Sequence, residues 1–110
     1  MTIVLYDDKH LALSVEGHAG YAEEGKDIVC SSVSILVMTL ASFVERMQDE
    51  GVVKEAKIDI EKGSVYIEAT PITTCFTRCK IVFDAICEGF KLLAEHYPEN
   101  VQYISRNDLI

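Results

Sequence analysis

The chain has 110 residues, 49% of them hydrophobic, with 18 acidic against 10 basic side chains and a net charge of −8. That length suits a single domain, residues 1–110, able to bury roughly two-thirds of the surface its unfolded form exposes, and the Ile, Val, Leu and Phe content excludes a disordered acidic chain. The acidic excess disfavours direct nucleic-acid binding, because phosphates would be repelled.

Taken in order, Thr2 to Tyr6 is β-rich, Asp7 to Lys9 is a polar turn, and Leu11 to Glu16 alternates apolar with polar, which predicts an opening hairpin. His10 flanks that turn and is read as a solvated turn residue. A polar, glycine-bearing stretch runs from Gly17 to Lys26. From Ile28 to about Glu50 the apolar residues Val29, Val33, Leu36, Val37, Leu40, Val44 and Met47 recur at helical spacing, and Ile35, Met38 and Phe43 widen the stripe. This helix is expected to be largely buried, with Gly51 as its C′ stop. Ala56, Ile58 and Ile60, the turn Lys62 to Ser64, and Val65, Ile67 and Ala69 predict a second hairpin. After Pro71, Thr73 or Thr74 caps a second helix whose face is Cys79, Phe83, Ile86, Phe90 and Leu93. Pro98 ends it, Val101 to Ser105 forms a last strand, and Arg106 to Asp108 is a polar tail. His96, near the end of the second helix, suits the negative pole of its dipole. The expected architecture is α+β in ββαββαβ order, one sheet packed with two long helices, and residual apolar surface favours a homodimer.

The stretch from Gly17 to Ser34, GHAGYAEEGKDIVCSSVS, carries the chemistry. Asp27 stands before the helical pattern as a favoured N-cap, which makes Cys30 the third helical residue. A sulfur there sits among unpaired N–H donors at the positive end of the macrodipole, which favours thiolate over thiol. Gly17, Gly20 and Gly25 let the loop turn back and carry His18 towards that sulfur. Cys30 reads as a nucleophile and His18 as the group that takes its proton and returns it to a leaving amine. The competing reading makes Cys30 a small hydrophobe at a helix start and His18 a surface histidine. Asp27 is primarily a cap, with any orienting of His18 secondary. Ser34, one turn beyond Cys30, either bonds near the thiolate or faces a strand or subunit. The helix-start N–H groups, that of Cys30 included, point where an oxyanion would form. Tyr21 and the glycines of the Gly20 to Lys26 loop make that segment a candidate lid over the substrate.

Gly17, His18, Ala19, Tyr21, Ala22, Gly25, Asp27, Ile28, Val29, Cys30 and Ser34, in this order and spacing, resemble the ribosomal-processing cysteine protease family. Leu92, Leu93, Tyr97 and Pro98 look like its second helix running into its last strand, and Ser31 and Ser32 stand where its pattern commonly has two alanines. The resemblance implies a bacterial endopeptidase with a Cys30 and His18 dyad, and the four cysteines, read as free thiols, suit a reducing cytoplasm. It implies a protein that removes the N-terminal extension of a large-subunit ribosomal protein precursor, cutting after paired aromatic residues. Such a basic substrate would be attracted by the net negative charge, whose plainer reading is solubility. The rival from another class is a non-catalytic ribosome-assembly module that binds the same precursor, and a thiol redox sensor ranks third.

The other cysteines, Cys75, Cys79 and Cys87, are too few and too helically placed for a disulfide framework. Cys75 and Cys79 are four apart and Cys87 lies about 80° off Cys79 around a helix, which is no zinc spacing. They are read as free core or boundary thiols, and neither metal nor cofactor is expected. No basic start leads an apolar stretch, and the longest apolar runs are broken short of the ~18 residues of a membrane span, so the expected protein is neither exported nor membrane-spanning.

Overall fold

The structure, a computed structural model, describes residues 1–106, so positions 107 and 108 of the expected polar tail lie outside the described residues. The elements are β1 (Thr2–Asp7), β2 (Ala12–Glu16), α1 (Ile28–Asp49), β3 (Val53–Glu61), β4 (Ser64–Pro71), α2 (Phe76–His96) and β5 (Val101–Ser105), with a 3-10 turn at Thr73–Cys75 before α2. This is the ββαββαβ order, with one five-stranded sheet in the order β3-β4-β2-β1-β5.

The two hairpins follow from alternation. Val4 faces Val15 and Tyr6 faces Leu13 across β1 and β2, while Ile58 faces Ile67 and Ile60 faces Val65 across β3 and β4. These side chains share one face of the sheet, because successive residues of a strand point to opposite sides. β2 and β4 pair antiparallel and join the hairpins, and α2 returns the chain so that β5 lies parallel beside β1. Both helices cover the inner face, α1 over β3 and β4 and α2 against β5, and the helices also touch each other. Phe83, Phe90, Leu13, Leu40, Val44 and Ile67 are fully enclosed between the layers, and each such side chain contributes roughly 1.5–3 kcal/mol by leaving water.

Two expectations need correction. α1 is not largely buried: Val29, Val33, Val37, Leu40, Ala41, Val44 and Met47 form its buried row, whereas Ile35 and Met38 are each 60% exposed and Phe43 is 36% exposed. A helix resting on a sheet buries one stripe, and these three residues fall outside it. By length and composition alone α1 could cross a membrane; in this fold its buried row is the sheet's cover. Neither Thr73 nor Thr74 caps α2. Both lie in the 3-10 turn, closed by the Cys75 N–H on the Ile72 carbonyl at 2.9 Å, and Cys75 takes the cap position without a side-chain hydrogen bond.

Other boundaries match their signals. Gly51, at φ 77, closes α1 while the Val52 N–H reaches back to the Met47 carbonyl at 2.9 Å, the Schellman arrangement. α2 ends at His96, two residues before Pro98, and the His96 ring lies 2.8 Å from the Leu92 carbonyl through Nδ1. His10 is an exposed turn residue whose Nδ1 lies 2.7 Å from Asp7 Oδ2, and the same carboxylate oxygen receives Arg106.

Candidate active site

The loop between β2 and α1 starts with a backbone constraint. Gly17 has φ 92, its N–H donates to the Gly63 carbonyl at 2.9 Å, and a Cβ on it would collide with the Met1 carbonyl. Only glycine meets both conditions. His18 follows, exposed, with its ring laid on the β3–β4 turn, where a Cβ on Gly63 would stand 3.0 Å from His18 Nε2. Ala19 then turns inward and is buried. Its N–H donates to Cys30 Sγ at 3.4 Å, and its carbonyl accepts from Asn100 Nδ2 at 3.0 Å. The exposed Tyr21 ring meets Tyr97 edge-on, with centroids 5.4 Å apart.

Asp27 is the cap the pattern calls for, and it does more than cap. Its Oδ1 accepts the Cys30 N–H at 2.9 Å, and its Oδ2 accepts the N–H groups of Tyr21 at 2.9 Å and Ala22 at 3.3 Å. Burial alone would raise the pKa of this carboxyl, but the donors from Cys30, Ala22 and Tyr21 outweigh it and hold it below its ordinary value. Besides these backbone donors the Cys30 side chain bonds the carboxylate, and among the described residues no hydrogen bond joins it to His18. Glu24 pairs with Lys62 at 3.0 Å, which ties the tip of the Gly20 to Lys26 loop to the same β3–β4 turn. Both partners are exposed, so this tie is weak.

Cys30, half-buried, opens the third position of α1 and faces a groove of about 910 Å³. His18, Gly17, Gly20, Gly25, Asp27 and Ser34 line the same groove, and Ile35, Met38, Ile60 and Val65 make its wall apolar. Two of the exposed apolar residues of α1, Ile35 and Met38, therefore share the groove with the sulfur. Ser34 is exposed on the groove side. No hydrogen bond joins His18 to Cys30 among the described residues; the loop brings the two to one groove with the imidazole parked on Gly63. The expected helix-start oxyanion donors are also altered. The Cys30 N–H belongs to Asp27 Oδ1, and the Ser31 N–H to the Asp27 carbonyl at 3.1 Å. A donor already bonded at short range is not free for a substrate oxygen.

That Asn100, Tyr97 and Gly63 face the loop escaped the sequence reading. Gly63 sat in a recognised turn, and Asn100 stood between a helix-ending Pro and a strand; neither position carried a sign that it faces the loop at Gly17 to Asp27. Cys79 and Cys87 are buried and Cys75 half-buried, all three as free thiols. Burial pushes the Cys87 thiol up to about 12, against the opposing hydrogen bond of Tyr103. Among the described residues no group of three or more His, Cys, Asp and Glu is placed to hold a metal ion.

Comparison with known proteins gives the family. Residues 1–102 match the family model described as cysteine protease Prp. A Mycoplasma genitalium protein described as ribosomal processing cysteine protease Prp is 29% identical over 89 residues, which cover 81% of this chain and 82% of that one. The crystal structure of an S. aureus ribosomal processing protease Prp with a covalently linked product peptide superposes with a TM-score of 0.77 at 19% identity, covering 96% of this chain and 100% of that chain. The SMU.848 protein of Streptococcus mutans gives a TM-score of 0.63 at 27% identity over 94% of this chain and 90% of that one. The structural likenesses carry the fold, and the family match carries the chemistry: the chain belongs to the cysteine protease Prp family and is a cysteine protease.

Proposed function

We propose that this protease is a cytoplasmic homodimer that removes the N-terminal extension of a large-subunit ribosomal protein precursor, with Cys30 as nucleophile and His18 as its proton-transfer partner. The observation that carries this reading is the placement of Cys30 Sγ at a helix start, under a backbone N–H at 3.4 Å, in a groove that His18 also lines. A thiolate accepts such a bond more strongly than a thiol does. The relatives, a ribosomal processing protease and S. aureus structures with substrate and product peptides, support the substrate class.

The chemistry runs in two halves. His18 leaves the Gly63 turn and takes the Cys30 proton; the sulfur attacks the scissile carbonyl, forming a C–S bond while the carbonyl π pair moves onto oxygen. Collapse of that intermediate expels the amine, which takes the proton from the imidazolium. Neutral His18 then removes a proton from water as its oxygen attacks the thioester; collapse breaks the C–S bond and releases the carboxylic product, and the imidazolium returns its proton to the sulfur. An extended peptide fits the groove with apolar side chains against Ile35, Met38 and Ile60. Among those side chains the paired aromatic residues expected before the cut would find their wall. The net charge of −8 draws in a basic substrate.

The test is a digest of the ribosomal protein precursor, followed by intact mass, with Cys30→Ala and His18→Ala beside the wild type. Cleavage by the wild type and none by Cys30→Ala supports the reading. Binding of the precursor with its mass unchanged over hours would instead make the protein a holding module. Sedimentation at micromolar concentration tests the homodimer, which the exposed apolar residues of α1 favour; a monomer there removes that part.

A further inference from the structure

The Ala19 backbone stands between two unlike partners. Its N–H points at the nucleophilic sulfur at 3.4 Å, and its carbonyl is held by Asn100 Nδ2 at 3.0 Å. Ala19 itself is 2% exposed, between the exposed His18 and Gly20 that line the groove. Asn100 is in turn fixed at both ends of its own backbone. Its N–H donates to the Tyr97 carbonyl at 2.9 Å, and its carbonyl accepts the Thr2 N–H at 2.9 Å, where β1 begins. The side-chain amide therefore projects from a rigid corner joining the end of α2 to two strands.

The reaction needs a donor for the oxyanion, and at the helix start the N–H groups of Cys30 and Ser31 are already engaged. The N–H groups of Cys30, Tyr21 and Ala22 are bonded to the Asp27 carboxylate and that of Ser31 to the Asp27 carbonyl. The Ala19 N–H is the donor already directed at the reacting atom. When the sulfur attacks, its negative charge passes to the carbonyl oxygen, one C–S bond and one C–O bond away. The sulfur becomes a neutral thioether-like centre and a poor acceptor, while the new oxyanion is a strong one. A donor that was on the sulfur can then pass to the oxygen with a small shift, into the roughly 2.7–3.1 Å range such donors use.

We propose that the Ala19 N–H is an oxyanion donor of this protease and that Asn100 is the positioning residue that aims it. The inference rests on the cysteine-protease reading above with Cys30 as nucleophile. It gives the chain's last loop a role in catalysis that neither the nucleophile nor its proton partner supplies. Asn100 touches no substrate; it acts through the Ala19 carbonyl.

The experiment measures cleavage of a precursor-derived peptide by the full chain in four forms. These are the wild type, Asn100→Ala, Asn100→Asp, and a protein in which the His18–Ala19 amide is replaced by an ester, which deletes the Ala19 N–H alone. Loss of one oxyanion donor typically lowers kcat on the order of 100-fold to 1,000-fold, so the ester form is expected in that range. Asn100→Ala, which only releases the aim, is expected to lose about 10-fold or more in kcat with KM within about 2-fold. Asn100→Asp keeps the shape but sets a carboxylate against the Ala19 carbonyl, and is expected to be at least as slow as Asn100→Ala. Thermal melting of each form is run in parallel, and inhibition by a peptide aldehyde, whose adduct with the sulfur presents an oxygen to the same donor, is expected to weaken in proportion to kcat. Wild-type cleavage with kcat unchanged in the ester form overturns the donor. A slow ester form with unchanged Asn100 variants overturns the role of Asn100. Losses that follow KM or the melting temperature while aldehyde inhibition is unchanged overturn both. Absence of any cleavage by the wild type would sink the underlying reading instead.

Discussion

Asp27 holds Tyr21 by its backbone, with Oδ2 accepting the Tyr21 N–H at 2.9 Å while Oδ1 keeps the cap bond to Cys30 at the same distance. One carboxylate thus clamps both the loop that carries His18 and the helix that carries Cys30. Asp27→Ala is expected to lose the cap and the clamp together. Asp27→Asn retains one acceptor for Cys30 but turns an amide N–H₂ towards the Tyr21 and Ala22 donors. Both variants should cleave precursor more slowly than wild type, and Asp27→Ala should melt lower than Asp27→Asn. Equal activity in Asp27→Asn and wild type would show that the loop clamp is dispensable.

The same carboxyl makes stability depend on acid. Its folded pKa lies below the ordinary carboxylate value, because the donors of Cys30, Ala22 and Tyr21 overcome its burial. A depressed folded pKa means that the native state binds fewer protons than the unfolded chain near that pH. The stabilisation is therefore complete above the unfolded value of about 3.9 and fades as pH falls through the lower folded value. The difference in melting temperature between wild type and Asp27→Asn should be constant from pH 7 to pH 5 and shrink below about pH 4. A gap that stays constant down to pH 2 contradicts the clamp.

Gly17 and Gly20 separate strain from collision. Gly17 has φ 92 and a Met1 carbonyl where a Cβ would go, whereas Gly20 has φ 67 and nothing within 4 Å of that position. Gly20→Ala should cost about 1–2 kcal/mol for its left-handed backbone. Gly17→Ala should cost more, because the same strain is joined by a steric overlap with backbone that cannot rotate away. Chemical denaturation of the two variants checks the order, and an equal loss would remove the collision.

Met38 tests the groove. It is 60% exposed on α1 and lines the wall beyond Cys30. Met38→Lys should leave the melting temperature nearly unchanged, since little packing is lost, and should raise KM for an apolar-flanked peptide about 10-fold with kcat within about 2-fold. An unchanged KM would place the substrate elsewhere.

Thiol labelling distinguishes the cysteines. Alkylation needs thiolate and access, and Cys79 and Cys87 have neither: burial raises both thiols, that of Cys87 to about 12. Iodoacetamide at pH 8 should leave both unmodified in the native protein and modify them once it is unfolded, as read by peptide mass. Cys30, in the groove, should be modified in the native state. Rapid native labelling of Cys87 would show that the core around Phe83 and Phe90 opens.

What the chain determined by itself is local. The cap at Asp27, the third-position sulfur at Cys30, the Gly51 stop and the strand at Val101–Ser105 rest on interactions within a few residues and on periods of 3.6 and 2, so they are written in neighbouring residues. The burial of α1 was overestimated because apolar composition does not say how much of a helix a sheet can cover, and the cap of α2 was misplaced because a 3-10 turn competes with a threonine on equal local terms. The tertiary structure alone decided that the His18 ring rests on Gly63, that Tyr21 meets Tyr97, and that Asn100 reaches Ala19 across 81 positions. The first contact exists only after β2 has paired with β4, and the other two only after the segment between α2 and β5 has been carried beside β1. No spacing along the sequence encodes them, because the energy that selects them comes from burying both helices on one face of the sheet.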